Sequence, residues 1–196
     1  MVAAKAREAV DNAAPGKAWV VGSVGPTGKF LKPLGELTFS ELVEAFKEQI
    51  RGLVDGGVDL ILAETHYDLA EVKAVVVAAR EICSLPVGAS MTFENGVSLT
   101  GTTPKVFALT MDNLGVDLIA TNCSAGPEGM LQVAKAIHPV TRTPLLAQPN
   151  AGLPELVDGE TVFRLGAEDF ASQTALFVDH GVQCLGGCCG TTPAHI

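Results

Sequence analysis

Positive charge is scarce in this sequence. Its 196 residues carry 13 Lys and Arg against 22 Asp and Glu, a formal net charge of −9. Nucleic acid and anionic membranes both select basic faces, so neither is expected as a partner. No apolar run approaches the roughly 18 residues of a membrane span. The opening stretch Met1-Val2-Ala3-Ala4-Lys5-Ala6-Arg7-Glu8-Ala9-Val10 reads as a charged helix, without the apolar core of a signal peptide. Cysteine is sparse and odd in number: five, two of them the neighbours Cys188 and Cys189. Adjacent cysteines make a strained disulfide, and an odd count leaves one thiol unpaired. A reduced, cytoplasmic protein with metal-binding thiols fits this usage better than a disulfide scaffold. No linker divides the chain, and residues 1–196 are expected to form one domain.

Apolar residues are abundant by contrast: 47% of the chain, with a mean hydropathy of +0.33. A parallel sheet covered on both faces has strands of this continuous apolar kind. A repeat organises the sequence. Gly57-Val58-Asp59-Leu60-Ile61, Gly115-Val116-Asp117-Leu118-Ile119 and Gly181-Val182-Gln183-Cys184-Leu185 each follow a helical stretch, place glycine as a helix C-cap and open a strand. Further strands are expected over Ala18–Val24, Pro86–Met91 and Pro144–Ala147. Thr38-Phe39-Ser40-Glu41 is a capping box opening a helix with apolar residues at Leu42, Val43, Phe46, Ile50, Leu53 and Val54. Other helices are expected over Asp68–Ile82, from Pro127 onward, and over Ala167–His180. This alternation specifies an α/β fold with a parallel sheet. Gly22-Ser23-Val24-Gly25-Pro26-Thr27-Gly28 has the wrong spacing for a dinucleotide cradle and reads as a strand-to-helix loop.

Two cysteine clusters each follow a strand: Thr121-Asn122-Cys123-Ser124-Ala125-Gly126-Pro127 and Gly186-Gly187-Cys188-Cys189-Gly190-Thr191. Seven residues on from each repeat glycine lie Glu64, Asn122 and Cys188; eight on lie Thr65, Cys123 and Cys189. Polar groups and thiols therefore share one height at the C-terminal ends of the strands. In a (β/α)8 TIM barrel that rim gathers catalytic residues. Three converging thiols make a soft, anionic site that prefers zinc and leaves a coordination position open. The alternatives are buried thiols or a closed structural zinc site, although structural sites usually take four ligands in close pairs. Six βα units are counted where a barrel has eight. The barrel is therefore expected to be incomplete, truncated at both ends, with the N-terminal strands and the last helix missing.

The motifs, taken in order, resemble the homocysteine S-methyltransferase family, in particular the homocysteine-binding domain of cobalamin-dependent methionine synthases. Those carrying the resemblance are Gly22–Gly28, Glu64-Thr65, Leu99-Thr100-Gly101-Thr102, Asn122–Pro127, Pro149-Asn150-Ala151-Gly152-Leu153-Pro154 and Gly186–Pro193. The family's opening Asp-Gly-Ala-Met-Gly-Thr-like strand has no counterpart here. The resemblance implies a (β/α)8 barrel and methyl transfer to the sulfur of homocysteine, with Cys123, Cys188 and Cys189 as zinc ligands. It also implies methylcobalamin as donor, bound by another module or chain, and folate- and cobalamin-binding modules as partners. S-methylmethionine or betaine as donor is the alternative within enzymes. A non-catalytic zinc-binding fragment of the barrel is the alternative outside them.

Within that frame Asn150 is expected beside the metal, filling the fourth position before substrate arrives, or else turning its loop. Glu64 is expected to pair with the substrate ammonium, or else to bond neighbouring backbone. Ser124 and the free N–H groups of its turn are expected to hold the substrate carboxylate; helix capping is the alternative for Ser124. Cys83 and Cys184 read as core residues. His66 reads as the histidine on the rim side, in reach of substrate or donor, and His195 as part of a last helix's first turn.

Overall fold

The computed structural model describes residues 2–196. In chain order the main elements are α1 (Val2–Ala13), β1 (Val21–Val24), α2 (Phe39–Asp55), β2 (Leu60–His66), α3 (Leu69–Ile82), β3 (Val87–Met91), α4 (Pro104–Asn113), β4 (Leu118–Asn122), α5 (Pro127–Ile137), β5 (Leu145–Gln148), β6 (Pro154–Val157), β7 (Glu160–Phe163), α6 (Ala167–Ala175) and β8 (Cys184–Leu185). Six strands form one parallel sheet in the order β1-β2-β3-β4-β5-β8, with helices between successive strands. The expected α/β architecture is therefore present as six consecutive strands of a barrel-type wall.

Successive side chains of a strand point to opposite faces. Val24, Ile61, Ala89, Ile119 and Leu145 pack in the core with helix residues such as Phe46, Val72, Phe107 and Met130. The other face is polar toward the C-terminal strand ends, where it carries Ser23, Glu64, Ser90, Asn122 and Gln148. The capping box at Thr38 and Glu41 is formed in both directions. Pro104 and Pro127 both sit in first turns, where a missing N–H leaves no bond unmade.

The repeat has a mechanical meaning. Its three glycines adopt positive φ (Gly57 81°, Gly115 68°, Gly181 79°), the left-handed conformation that releases the chain from the preceding helix. The third repeat residue then makes a reciprocal clasp with the start of the preceding strand. Asp59 accepts from Val20 N–H at 2.7 Å, Asp117 from Val87 N–H at 2.8 Å and Gln183 from Leu145 N–H at 2.7 Å. Their own N–H groups donate back to the carbonyls of Val20, Val87 and Leu145. Asp59 is held further by Arg7, which fastens α1 across the strand ends.

Two expectations are corrected, for the Ala167–His180 helix and for Cys184, and two elements, α4 and the β6–β7 hairpin, were not anticipated. The helix expected over Ala167–His180 ends at Ala175 and resumes as a 3-10 turn at Val178–His180. Thr174 Oγ donates back to the Phe170 carbonyl at 2.8 Å, a bond that loosens a helical turn. The segment after Asn150 forms an antiparallel hairpin, β6–β7, turned by Asp158 and Gly159, both at positive φ. Cys184 is exposed rather than core, because β8 is a two-residue edge strand paired to β5 alone.

Candidate metal centre

β4 delivers Cys123 and then turns sharply. Cys123 and Ser124 both take φ of 60°, unusual for residues with a side chain. Ala125 N–H closes the turn on the Cys123 carbonyl at 2.7 Å, and α5 starts behind it with Gly126 as N-cap. Gly126 fits closely there: a Cβ would stand 3.1 Å from Gly152 Cα, and that backbone would have to give. No side chain caps α5, so Ser124 is not a cap; it is exposed at the turn.

The second cluster is held by the segment after β5. Cys188 N–H donates to the Pro149 carbonyl at 2.9 Å, Cys189 N–H to Asn150 Oδ1 at 3.0 Å, and Ala151 N–H to the Cys189 carbonyl at 2.9 Å. Thr191 adds a hydroxyl bond to the Cys188 carbonyl at 2.7 Å. Gly190 has φ of 78°, and a Cβ there would lie 2.3 Å from the Phe163 ring. Asn150 is buried, and its carbonyl oxygen braces the cysteine loop.

These two turns bring the three sulfurs together. Cys123 Sγ lies 3.7 Å from Cys189 Sγ, Cys188 Sγ lies 4.0 Å from Cys189 Sγ, and all three fall within 4.8 Å of one another. Zinc–sulfur bonds of about 2.3 Å at tetrahedral angles put sulfurs roughly 3.8 Å apart. The separations therefore fit one tetrahedral ion bound by three thiolates. Cys123 and Cys188 are half-buried and Cys189 is exposed, which leaves the cluster open to a ligand from outside.

Without a metal the Cys188 and Cys189 thiols resist ionisation. Burial raises the Cys188 thiol, with the neighbouring Cys123 adding to the shift. The Cys189 thiol is pushed up to about 12 by burial and by the sulfurs of Cys123 and Cys188. Three thiols held this close are a poor arrangement for anions alone and a good one around a cation.

The rest of the rim surrounds this cluster. Glu64 Oε2 accepts from Ser23 Oγ at 2.6 Å, and Glu64 Oε1 from Gln148 Nε2 at 3.4 Å. Glu64 is half-buried and bonds side chains, not neighbouring backbone. Gln148 Oε1 is buried with no hydrogen-bond partner. Thr65, at φ of 64°, sits in a bulge where the β2–β3 register shifts between Ala63 and His66. Asn122 is 1% exposed and bonds Thr65, Ser90 and Cys188. Asn122, Gln148 and Ser23 were visible as polar residues near strand ends. Their connections were not, because they run between strands far apart in sequence.

His66 does not reach the rim. The bulge turns it to the helix side, where it is fully buried, its Nε2 donating to the Val24 carbonyl at 3.0 Å and its Nδ1 3.7 Å from Glu71 Oε2. Cys83 is the C-cap residue of α3 and packs partly buried against the core. His195 lies in a turn, between Thr192 and the Leu165 carbonyl.

An α/β barrel-type wall with a three-cysteine cluster at the C-terminal ends of its strands defines the class. The chain belongs to the homocysteine S-methyltransferase family, whose sequence model matches residues 1–196. It is 37% identical over 187 residues to methionine synthase of Mycobacterium tuberculosis, covering 92% of this chain and 16% of that protein. It therefore spans about a sixth of that relative's length. Among solved structures it is similar to the homocysteine methyltransferase MmuM from Escherichia coli. The apo form superposes with a TM-score of 0.75 at 24% identity, over 97% of this chain and 65% of that one. The metallated form gives 0.70 at 26% identity, over 97% and 64%.

Proposed function

We propose that this chain binds zinc and homocysteine and serves as the homocysteine-binding part of a cobalamin-dependent methionine synthase, in which a methyl group passes to the homocysteine sulfur to give methionine. The observation that carries the reading is the convergence of Cys123, Cys188 and Cys189 sulfurs within 4.8 Å at the strand ends of a member of this family. The metallated form known for MmuM and the shared sequence with methionine synthase support it.

When bound, zinc supplies the Lewis acidity that keeps a thiol as thiolate at neutral pH. The chain supplies the rest. Three cysteinates around a divalent ion leave a formal charge near −1, and this excess keeps an arriving sulfur electron-rich. Asn150, whose oxygen already holds the Cys189 N–H, is assigned the fourth position before substrate arrives. Glu64, oriented by Ser23 and Gln148, takes the substrate ammonium. Ser124 and the first turn of α5, whose N–H groups have no helical carbonyl to bond, take the carboxylate. The methyl donor is methylcobalamin on another module or chain, and folate-binding modules regenerate it. The assigned compartment is the cytoplasm; no helix among the described residues is long and apolar enough to cross a membrane.

The test is threefold: metal content of the purified chain, calorimetric titration with L-homocysteine, and methionine formation from added methylcobalamin. One zinc per chain, homocysteine binding that disappears with the metal, and methionine formation are expected. A chain that binds zinc but no homocysteine refutes the reading in favour of a structural metal site. Transfer from betaine or S-methylmethionine but not from methylcobalamin overturns the choice of donor.

A further inference from the structure

Asn122 joins three parts of the rim. Its Oδ1 accepts from the backbone N–H of Thr65 at 3.1 Å and from Ser90 Oγ at 2.7 Å. Its Nδ2 donates to Thr65 Oγ1 at 2.8 Å and to Cys188 Sγ at 3.7 Å. A backbone N–H can only donate, so the Thr65 bond fixes which end of the amide is oxygen. The two N–H groups of Asn122 are thereby committed to Thr65 Oγ1 and the Cys188 sulfur. Thr65 is itself β-branched, at φ of 64°, a conformation that persists only where its surroundings enforce it. Two of the Asn122 bonds end on it, in the bulge that also carries Glu64.

We propose that Asn122 is a positioning residue with two linked tasks: its Nδ2–H···Sγ bond draws charge from the Cys188 thiolate and so sets how firmly the three-sulfur site holds a metal, while its bonds to Thr65 lock the bulge that aims Glu64 at the amino-acid end of the substrate. This rests on the zinc and homocysteine reading above. Since one rigid amide carries both tasks, the metal and the amino acid are coupled: what shifts the Cys188 sulfur shifts the Thr65 bulge, and the reverse. Ser90 has a lesser part, holding the oxygen end of the amide.

The direct test uses the wild-type chain loaded with cadmium-113. A scalar coupling between the metal and an Asn122 Nδ2 proton is expected, transmitted through the N–H···S bond. Asn122→Asp then keeps the shape and the acceptor for Thr65 N–H and Ser90, but loses both donors. In this variant zinc affinity, read by competition with a chromophoric chelator, should fall about 10- to 100-fold, as when other outer-shell partners are lost. Its cobalt-loaded form should show the sulfur-to-metal charge-transfer band moved to longer wavelength. Homocysteine affinity should fall as well. Ser90→Ala leaves Nδ2 in place and removes one brace of the amide, so its loss of zinc affinity should be clearly smaller than that of Asn122→Asp. If the wild type shows no coupling, or if Asn122→Asp binds zinc normally with an unmoved band, the proposal is overturned while the metal site stands. Equal losses in Ser90→Ala and Asn122→Asp overturn it too, since the effect is then one of packing. A wild-type chain that takes up no metal refutes the functional reading itself.

Discussion

Replacing Glu71 by Ala tests whether the buried side of the rim is built as described. Glu71 and His66 are both fully buried. Glu71 Oε1 accepts from Thr27 N–H at 2.7 Å and Thr27 Oγ at 2.6 Å, and Oε2 faces His66 Nδ1 at 3.7 Å. This carboxylate fastens the loop after β1 to α3. Hydrogen bonds to charged groups contribute about 1.5–3 kcal/mol each. Two are lost, and the Thr27 N–H is left without a partner, so Glu71→Ala should cost about 3–5 kcal/mol. For a domain of this size each kcal/mol moves Tm by roughly 2–4 °C. A fall on the order of 10 °C is therefore expected in calorimetry. Glu71→Gln keeps an acceptor for Thr27, so its loss should be much smaller.

The pH dependence follows from the direction of the shift. Burial pushes the Glu71 carboxyl up, but the His66 ring and the Thr27 donors together outweigh it, and the net movement is downward from the ordinary 4.5. A carboxyl lowered on folding adds stability above its unfolded pKa, and this is lost as pH falls through the folded value. The wild type should therefore lose this increment in the acid range below about pH 4.5, and Glu71→Gln should show a flatter acid limb. A Glu71→Ala variant destabilised by less than about 1 kcal/mol, with an unchanged acid limb, would refute the assigned bonds.

Three further outcomes are expected. Cys188→Ala removes one of three sulfurs and should lower zinc content from one per chain to near none, measured by atomic emission after dialysis against a mild chelator. Glu64→Gln should weaken homocysteine binding about tenfold or more, as loss of one charged partner implies, while zinc content stays at wild type. Gly190→Ala forces a side chain into a left-handed conformation and against Phe163; it should cost at least 1–2 kcal/mol in urea unfolding and loosen zinc, since the cysteine loop must shift.

Much of this molecule is written locally. The capping box at Thr38, the proline at 127 and the glycines at 57, 115 and 181 act on their own neighbours, and their spacing places strands and helices closely; Pro104 opens α4 in the same local way, a helix not among those expected from the sequence. Counting from those glycines also brought the cysteines to one height, because equivalent strands of a barrel share a register. Asp158-Gly159 is a two-residue hairpin signal of the same local kind, but β6 and β7 lie outside the glycine repeat and were not expected. The fate of His66 was not legible. It depends on a bulge at Thr65 that inverts which face a side chain takes, and the bulge depends on Asn122, 57 residues away. Cys184 misled for a related reason: burial of a strand depends on what pairs beside it, which a strand's own residues do not record.

The reciprocal clasps at Asp59, Asp117 and Gln183 have a consequence for how the wall carries load. They bolt β1 to β2, β3 to β4 and β5 to β8 at the base, making three two-strand staves. At the base of the joints between staves the backbone contacts are Ile61 N–H to the Pro86 carbonyl and Ile119 N–H to the Pro144 carbonyl. At the opposite end the Asn122–Thr65 bonds cross the first joint, and the cysteine sulfurs cross the second. An ion seated among those sulfurs would work as a hoop, tightening the staves at the end opposite the clasps. Amide exchange along the β4–β5 joint should slow on metal loading more than exchange within any stave.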